Sequence, residues 1–138
     1  MLSKSFYVSG EIPRVTSFER GMPGQHSLGA GGEWELDETL VDERYVAVHI
    51  ANKGLFVFTA CSHAGLINVL THAAIDSLTF RSTGYQADSM CPFNLALIAA
   101  AHCTGWRAIG ALATRFKDRV VSPAAGTPSR PVMGGRRR

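Results

Sequence analysis

The chain has 138 residues, of which 46% are hydrophobic and 18% are charged; this balance is typical of a globular domain and argues against general disorder. Its length suffices for one domain with a real core, and no apolar run reaches the roughly 18 residues that a membrane span needs. The N-terminal residues also lack the apolar stretch of a secretory signal, so a cytoplasmic protein without a membrane partner is expected.

The basic charge lies at the C-terminal end of the sequence. Residues 122–138 contain Arg130 and three terminal arginines but no acidic residue, so the net charge of +3 leaves about −1 for the rest of the chain. We therefore expect a folded domain over residues 1–121 and a basic, disordered tail over residues 122–138. A tail of this kind can contact nucleic acid, but the nearly neutral body argues against nucleic-acid binding as the main function.

The three cysteines, Cys61, Cys91 and Cys103, predict reduced thiols. Their odd number and the absence of a C-x-x-C spacing argue against a disulfide framework and against a cysteine zinc knuckle.

The first half of the sequence predicts a β-hairpin. Residues 6–8 form a candidate strand, and residues 21–32, with five glycines, predict a long irregular loop. Residues 44–50 and 55–60 predict two strands joined by a short turn that contains Gly54. The second of these strands is almost wholly apolar, which is expected when both of its faces are covered.

The second half predicts two helices. Apolar residues at positions 66, 69, 70 and 73 share one face of a helix over residues 65–75. Residues 93–101 are apolar and fit either a strand or the start of a helix. A second helix follows residues 102–105, with Thr104 as its N-cap. Its predicted buried face holds Trp106, Ile109, Leu112, Ala113 and Phe116, and a final strand is expected over residues 118–121.

Two histidines occupy similar positions in this pattern. His63 follows the strand 55–60 and His102 follows the run 93–101, and each precedes a small-residue turn and a helix. Ligands and catalytic groups in α/β folds concentrate in such loops, and imidazole is a common metal ligand. His26 in the glycine-rich loop, His49 in a strand and His72 on another face of the first helix are interpreted as structural.

Several spaced segments resemble one branch of the metallo-β-lactamase superfamily. They are residues 6–14 (FYVSGEIPR), residues 18–19 (FE), residues 42–44 (DER), residues 54–68 (GLFVFTACSHAGLIN), which include the CSHAG motif, and residues 102–108 (HCTGWRA). That branch includes proteins described as dihydropterin or ribofuranosylaminobenzene-phosphate synthases and many simply called metallo-hydrolases. The resemblance covers about residues 6–74 and 95–121.

The resemblance implies an α/β fold, namely the C-terminal half of an αββα sandwich that carries a two-metal site at one edge of its sheets. By position, His63 and His102 resemble two of the family's metal ligands, and the implied cofactor is a divalent metal: zinc, manganese or iron. The implied substrate is a phosphorylated or pterin-like small molecule. Asn68 is assigned to helix packing, and Cys61 and Cys103 are expected to be small buried residues.

The sequence also departs from the family pattern. No His-x-His-x-Asp-His motif is present, and residues 77–92 replace the expected Gly-Gly-Phe-His-Leu motif. A catalytic zinc site normally has three protein ligands and a water, so two histidines would hold a metal weakly or leave the chain without one. Asp88 is a conceivable third ligand, although no spacing supports it.

Two functions therefore stay open beside the nucleic-acid alternative. One is a truncated, impaired metal-dependent hydrolase or transferase; the other is a non-catalytic remnant or association module. Because half of a sandwich leaves an apolar sheet face uncovered, we expect the isolated chain to dimerise, to aggregate or to be partly molten.

Overall fold

The computed structural model describes residues 6–51, 54–75 and 89–123. The chain forms two compact units, residues 1–81 and 82–138. Both units combine helices with strands, so the prediction of a mixed α/β chain is confirmed at that level. The predicted tail from residue 124 onward lies outside the described residues.

A three-stranded antiparallel sheet organises the first unit. Strand β1 (Phe6–Val8) pairs with β4 (Tyr45–Ile50), and β4 pairs with β5 (Gly54–Thr59). The strand order is therefore β1-β4-β5. The predicted hairpin of β4 and β5 is confirmed, although Asn52 and Lys53 in its turn lie outside the described residues.

Helix α1 (Leu66–Ile75) follows the sheet and begins one residue after the predicted start. Its apolar stripe supplies Val69, which is fully buried, to a core cluster on one face of the sheet. The other buried members of this cluster are Ile12, Tyr45, Ala47 and Ala64. Burial of a large apolar side chain stabilises a fold by about 1.5–3 kcal/mol, so this cluster is a major source of the unit's stability.

The sequence predicted an irregular loop over residues 21–32, but this segment contains the first strand of a second small hairpin. Strands β2 (His26–Leu28) and β3 (Trp34–Leu36) pair antiparallel, so the loop prediction was wrong here and His26 lies in a strand. All six residues of these strands are exposed, and Trp34 retains 72% of its accessible surface. Strand β3 does alternate apolar and polar residues, Trp34-Glu35-Leu36 between Glu33 and Asp37, so a strand signal was present in the sequence and was missed.

In residues 89–123, the described part of the second unit, there are a short parallel strand pair and one longer helix. Strands β6 (Ile98–Ala99) and β7 (Val120–Val121) pair in parallel, and a single 3₁₀ turn (Cys91–Phe93) lies before them. The apolar run 93–101 therefore contains a strand of only two residues. Of the final strand predicted over residues 118–121, residues 120 and 121 are confirmed.

Helix α2 (Trp106–Phe116) departs from its prediction at the N-terminus. Residues His102–Thr104 form a 3₁₀ turn, and the N-cap is Gly105, so the assignment of Thr104 as the N-cap was wrong. Leu112 and Phe116 are buried as predicted. Trp106 is 78% exposed and Ala113 is also exposed, so these two do not belong to the buried face.

Within the described ranges, no helix has the length and apolar character required to cross a membrane.

Candidate functional site

The segment that links β5 to α1 holds His63 in a tight turn. Ser62 and Gly65 both have positive φ angles, 61° and 95°, and the amide of Gly65 donates to the carbonyl of Ser62 at 2.9 Å. A non-glycine residue with positive φ costs of order 1 kcal/mol or more and persists only where its surroundings enforce it. Residues 61–65, called here the His63 loop, are therefore held by contacts from outside.

The carboxylate of Glu43 provides one of these contacts. It accepts hydrogen bonds from the backbone amides of His63, at 3.0 Å, and of Ala64. Hydrogen bonds to an ionised acceptor are roughly twice as strong as neutral ones. This carboxylate thereby fixes the backbone on both sides of the His63 carbonyl.

Glu19 provides a second contact, at the N-terminus of α1. Its carboxylate accepts from the amides of Ile67 and Asn68, both at 2.9 Å, and from the hydroxyl of Thr16 at 3.1 Å. These amides belong to the first turn of the helix, which has no intrahelical acceptors and attracts negative charge. Glu19 thus performs the task of an N-cap side chain, which Gly65 cannot supply.

Asn68 and Arg14 complete the support of the loop. The wholly buried Asn68 accepts from the amides of Val15 and Thr16, and its Nδ2 donates to the carbonyl of Ala64 at 2.8 Å. The Arg14 guanidinium donates to the carbonyl of His63 at 3.0 Å and also contacts the Thr39 carbonyl. Asn68 therefore does more than pack in the helix, because it joins residues 15–16 to the loop.

The side chains that the loop carries are less constrained than its backbone. The His63 imidazole is half-buried and makes no hydrogen bond to any other described residue. In the described part of the chain, the buried hydroxyls of Thr59 and Ser62 also have no hydrogen-bond partner. The loop and the end of β5 thus combine a fixed backbone with three polar groups that have no hydrogen-bond partner among the described residues.

The second predicted ligand lies in the other unit. His102 begins the 3₁₀ turn His102–Thr104, and its side chain lies outside the described part of the structure. Joint action of His63 and His102 therefore stays a prediction. Asp88, the conceivable third ligand, also lies outside the described residues.

The structure also tests the interpretations of His72, Cys61 and Cys103. The Nδ1 atom of His72 lies 3.3 Å from the Tyr45 hydroxyl, and the two rings meet edge to face, which fits the structural interpretation. Cys61 and Cys103 are both exposed, so the prediction that they are buried was wrong. Neither forms a disulfide, and nor does Cys91.

The described residues do not form a complete metal site. No three histidine, cysteine, aspartate or glutamate side chains among them lie close enough to hold a metal ion. The carboxylates of Glu19 and Glu43 are each engaged by two backbone amides. The donor set among the described residues therefore does not match the three ligands that a catalytic zinc normally has.

The sequence did not reveal the roles of Glu19, Glu43 and Arg14. Each of the two glutamates acts on amides 20 to 49 positions away in the chain. N-cap signals are sought immediately before a helix, where this sequence has glycine. The sequence also does not predict the positive φ angle of Ser62, whereas glycine at position 65 is consistent with a turn.

A cleft of about 390 Å³ lies at the C-terminal end of α2. It is lined by Cys91, Arg115, Phe116, Lys117, Asp118 and Arg119. The Arg119 guanidinium already donates to the carbonyl of Leu95 at 3.1 Å. The lining is basic, but none of its contacts specifies a ligand.

A different candidate surface is the face of the sheet opposite α1. Directly paired residues point to the same side of a sheet, so the register places two adjacent rows of apolar side chains on this face. Its members are Phe6, Val8, Val46, Val48, Phe56 and Phe58, called here the open sheet face. Phe6, Val8 and Phe58 are 50%, 48% and 60% exposed, and the other three are partly exposed. The prediction that β5 is covered on both faces was therefore wrong.

Comparison with known proteins gives no family assignment: no protein-family model and no curated protein matches this chain.

Proposed function

We propose that the chain is the C-terminal part of a metallo-β-lactamase-like sandwich and that the His63 loop presents one ligand of a divalent-metal site, to which His102 contributes a second. The activity that goes with this proposal is that of a metal-dependent hydrolase or transferase acting on a phosphorylated or pterin-like small molecule. With only two imidazoles to offer, this chain alone is an impaired enzyme.

The support for the proposal is that hydrogen bonds fix the backbone around an imidazole that has no hydrogen-bond partner among the described residues. Four side chains, Arg14, Glu19, Glu43 and Asn68, hold the loop and the first turn of α1 by hydrogen bonds. Functional groups need such support, because a ligand must be held close to its productive position before the metal arrives. A purely structural histidine would normally use its ring nitrogens in hydrogen bonds.

The test is metal binding to protein purified without chelators, measured by elemental analysis and by zinc titration calorimetry. We expect weak binding that falls by about tenfold or more in His63→Ala and in His102→Ala, since each removes one of two ligands. His26→Ala is the matched control, because His26 is exposed and hydrogen-bonds the Gly24 carbonyl.

Equal zinc affinity in His63→Ala and His26→Ala would contradict the proposal. Tightly held, stoichiometric metal that is lost in both His63→Ala and His102→Ala would contradict only the conclusion that the site is incomplete.

The open sheet face favours a second candidate, a non-catalytic association module. Three of its six apolar side chains are about half exposed or more, and none of the six can form a hydrogen bond or an ion pair. Exposed apolar patches of this kind mark interaction surfaces on soluble proteins.

A further inference from the structure

We propose that the exposed side of helix α2, together with the 3₁₀ turn that follows it, binds single-stranded nucleic acid. The surface, called here the α2 basic surface, consists of Trp106, Arg107, Arg115, Lys117 and Arg119. It belongs entirely to the second unit and includes no part of the His63 loop or of the open sheet face. The proposal is therefore independent of both functions proposed above.

The two units carry opposite net charges. Residues 1–81 contain six basic and nine acidic residues, which gives −3, whereas residues 82–138 contain eight basic and two acidic residues, which gives +6. The nearly neutral charge of the chain outside its tail is therefore an average over an acidic and a basic unit. Binding of nucleic acid requires a basic face beyond the tail, and residues 107–119 supply one, with four basic residues and one acidic residue.

The basic side chains of this surface are all exposed. Helix α2 buries Leu112 and Phe116. Arg107 and Arg115 lie outside this buried stripe and are separated by roughly 12 Å along the helix axis. The turn Lys117–Arg119 adds two cations beyond the end of the helix, so that three of the four basic side chains also line the cleft described above. Cations spread along one surface can contact successive phosphates of one strand.

The helix dipole does not explain the position of Arg107. A cation in the last turn of a helix is stabilised by the dipole, which accounts for Arg115 as a purely structural feature. Arg107 lies in the first turn, where the same dipole disfavours a positive charge. An arginine at this end therefore fits the binding of an anion better than it fits the stability of the helix.

Trp106 supplies a stacking platform at the same end of the helix. Its side chain is 78% exposed, and the Arg107 guanidinium carbon lies 5.2 Å from the centroid of its ring. An exposed aromatic ring beside an arginine can stack on a base while the arginine binds a neighbouring phosphate. Trp34 is similarly exposed, at 72%, but its neighbours in the sequence are Glu33 and Glu35.

The composition of the surface favours a single strand of nucleic acid over an anionic membrane. A helix that lies on a bilayer inserts an apolar face, whereas Leu112 and Phe116 of α2 are buried within the protein. Three of the four cations are arginines, whose planar guanidinium groups match the oxygen atoms of a phosphate. An exposed ring reaches the faces of bases only where they are unstacked, as they are in single strands.

Fluorescence anisotropy of a labelled oligodeoxythymidine of about 15 nucleotides measures binding to the full chain. We expect log K to fall with log salt with a slope of about −3 or steeper, because each of the four cations contributes about −0.7 on a single strand. Trp106→Ala should weaken binding about tenfold through the loss of stacking. Trp34→Ala removes an equally exposed ring from the first unit and should leave the affinity unchanged.

Two double variants with the same loss of charge test the cations. Arg107→Gln/Arg115→Gln should weaken binding about tenfold or more and make the salt slope shallower by about 1.4. Arg20→Gln/Arg44→Gln removes two exposed arginines from the first unit and should leave the slope unchanged. Circular dichroism checks that the variants are folded. If the first pair unfolds the chain, Arg107→Gln alone takes its place, with a change in slope of about 0.7.

A loss of affinity in Trp106→Ala, together with a shallower slope in the α2 pair alone, supports the proposal. Absence of wild-type binding at low salt overturns it. So does equal behaviour of the two double variants, which would assign the interaction to the tail or to net charge. Unchanged affinity in Trp106→Ala, or tighter binding to phosphatidylserine vesicles than to the oligonucleotide, would also overturn it.

Discussion

The side chain of Glu19 occupies the space next to Gly65 in which any other residue would place its Cβ. A Cβ added to Gly65 would overlap with the carboxyl group of Glu19 and also with its Cβ atom. The overlap with the Cβ atom of Glu19 stays in every rotamer of that side chain, because a Cβ atom does not move when the side chain rotates. Helix α1 can therefore be capped from a distance only because residue 65 has no side chain.

Gly65→Ala should destabilise the first unit by about 3 kcal/mol or more, through the overlap and the positive φ of 95°. Gly54→Ala is a matched control, because Gly54 has a φ of 97° and nothing within 4 Å of an added Cβ. It should cost only about 1 kcal/mol. Urea unfolding of the two variants measures the difference, and equal free energies of unfolding would show that the overlap with Glu19 is absent.

Glu19→Ala should lower the free energy of unfolding by about 2 kcal/mol, because the amides of Ile67 and Asn68 lose their acceptor. Glu19→Gln keeps an acceptor oxygen and should cost about half as much. Glu11→Ala removes an exposed carboxylate and should change stability by less than about 0.5 kcal/mol. If Glu19→Ala is as mild as Glu11→Ala in chemical unfolding, the carboxylate does not cap the helix.

Asn68→Ala should destabilise the first unit by about 3 kcal/mol, since it removes three hydrogen bonds from a wholly buried site. Amide hydrogen exchange gives a local test of the role of Asn68. The amides of Val15 and Thr16 should exchange faster, because the Asn68 side chain is their acceptor. Unchanged protection at those two amides would contradict the role given to Asn68.

In the first unit, the sequence predicted the hairpin of β4 and β5 and helix α1 but missed the hairpin of β2 and β3. The causes of the predicted elements are local and periodic. The hairpin of β4 and β5 follows from two apolar runs around a short turn, and α1 follows from apolar residues at helical spacing. The support of the His63 loop has no such local signal. Glu19 and Glu43 meet their amides only after the chain has folded back, so their spacing along the sequence carries no pattern.

The second unit was harder to predict because its elements are short. Two-residue strands such as β6 contain too few positions for a period, and the register of α2 depends on where the 3₁₀ turn before it ends. Trp106 was placed on a buried face by its helical spacing, yet it is exposed, and its ring centroid lies 5.2 Å from the Arg107 guanidinium carbon. Helical spacing identifies residues that share a face, but it does not show that the face is covered.

Thr59→Val should raise the free energy of unfolding by about 1 kcal/mol, against the usual trend of substitutions. In the described part of the chain, the buried Thr59 hydroxyl has no partner, and valine replaces it with a methyl group of nearly the same shape. Thr114→Val is the control, because the Thr114 hydroxyl donates to the Gly110 carbonyl at 2.9 Å and its loss should give no gain.

Thermal and urea unfolding of both variants measure this effect, and a less stable Thr59→Val would show that the hydroxyl has a partner in solution. Because Thr59 ends the strand that leads into the His63 loop, the same variant also bears on function. The Thr59→Val variant could gain stability and lose affinity for zinc. That result would show that the metal site uses the Thr59 hydroxyl, and that the hydroxyl lowers the stability of the fold, as polar groups at functional sites often do.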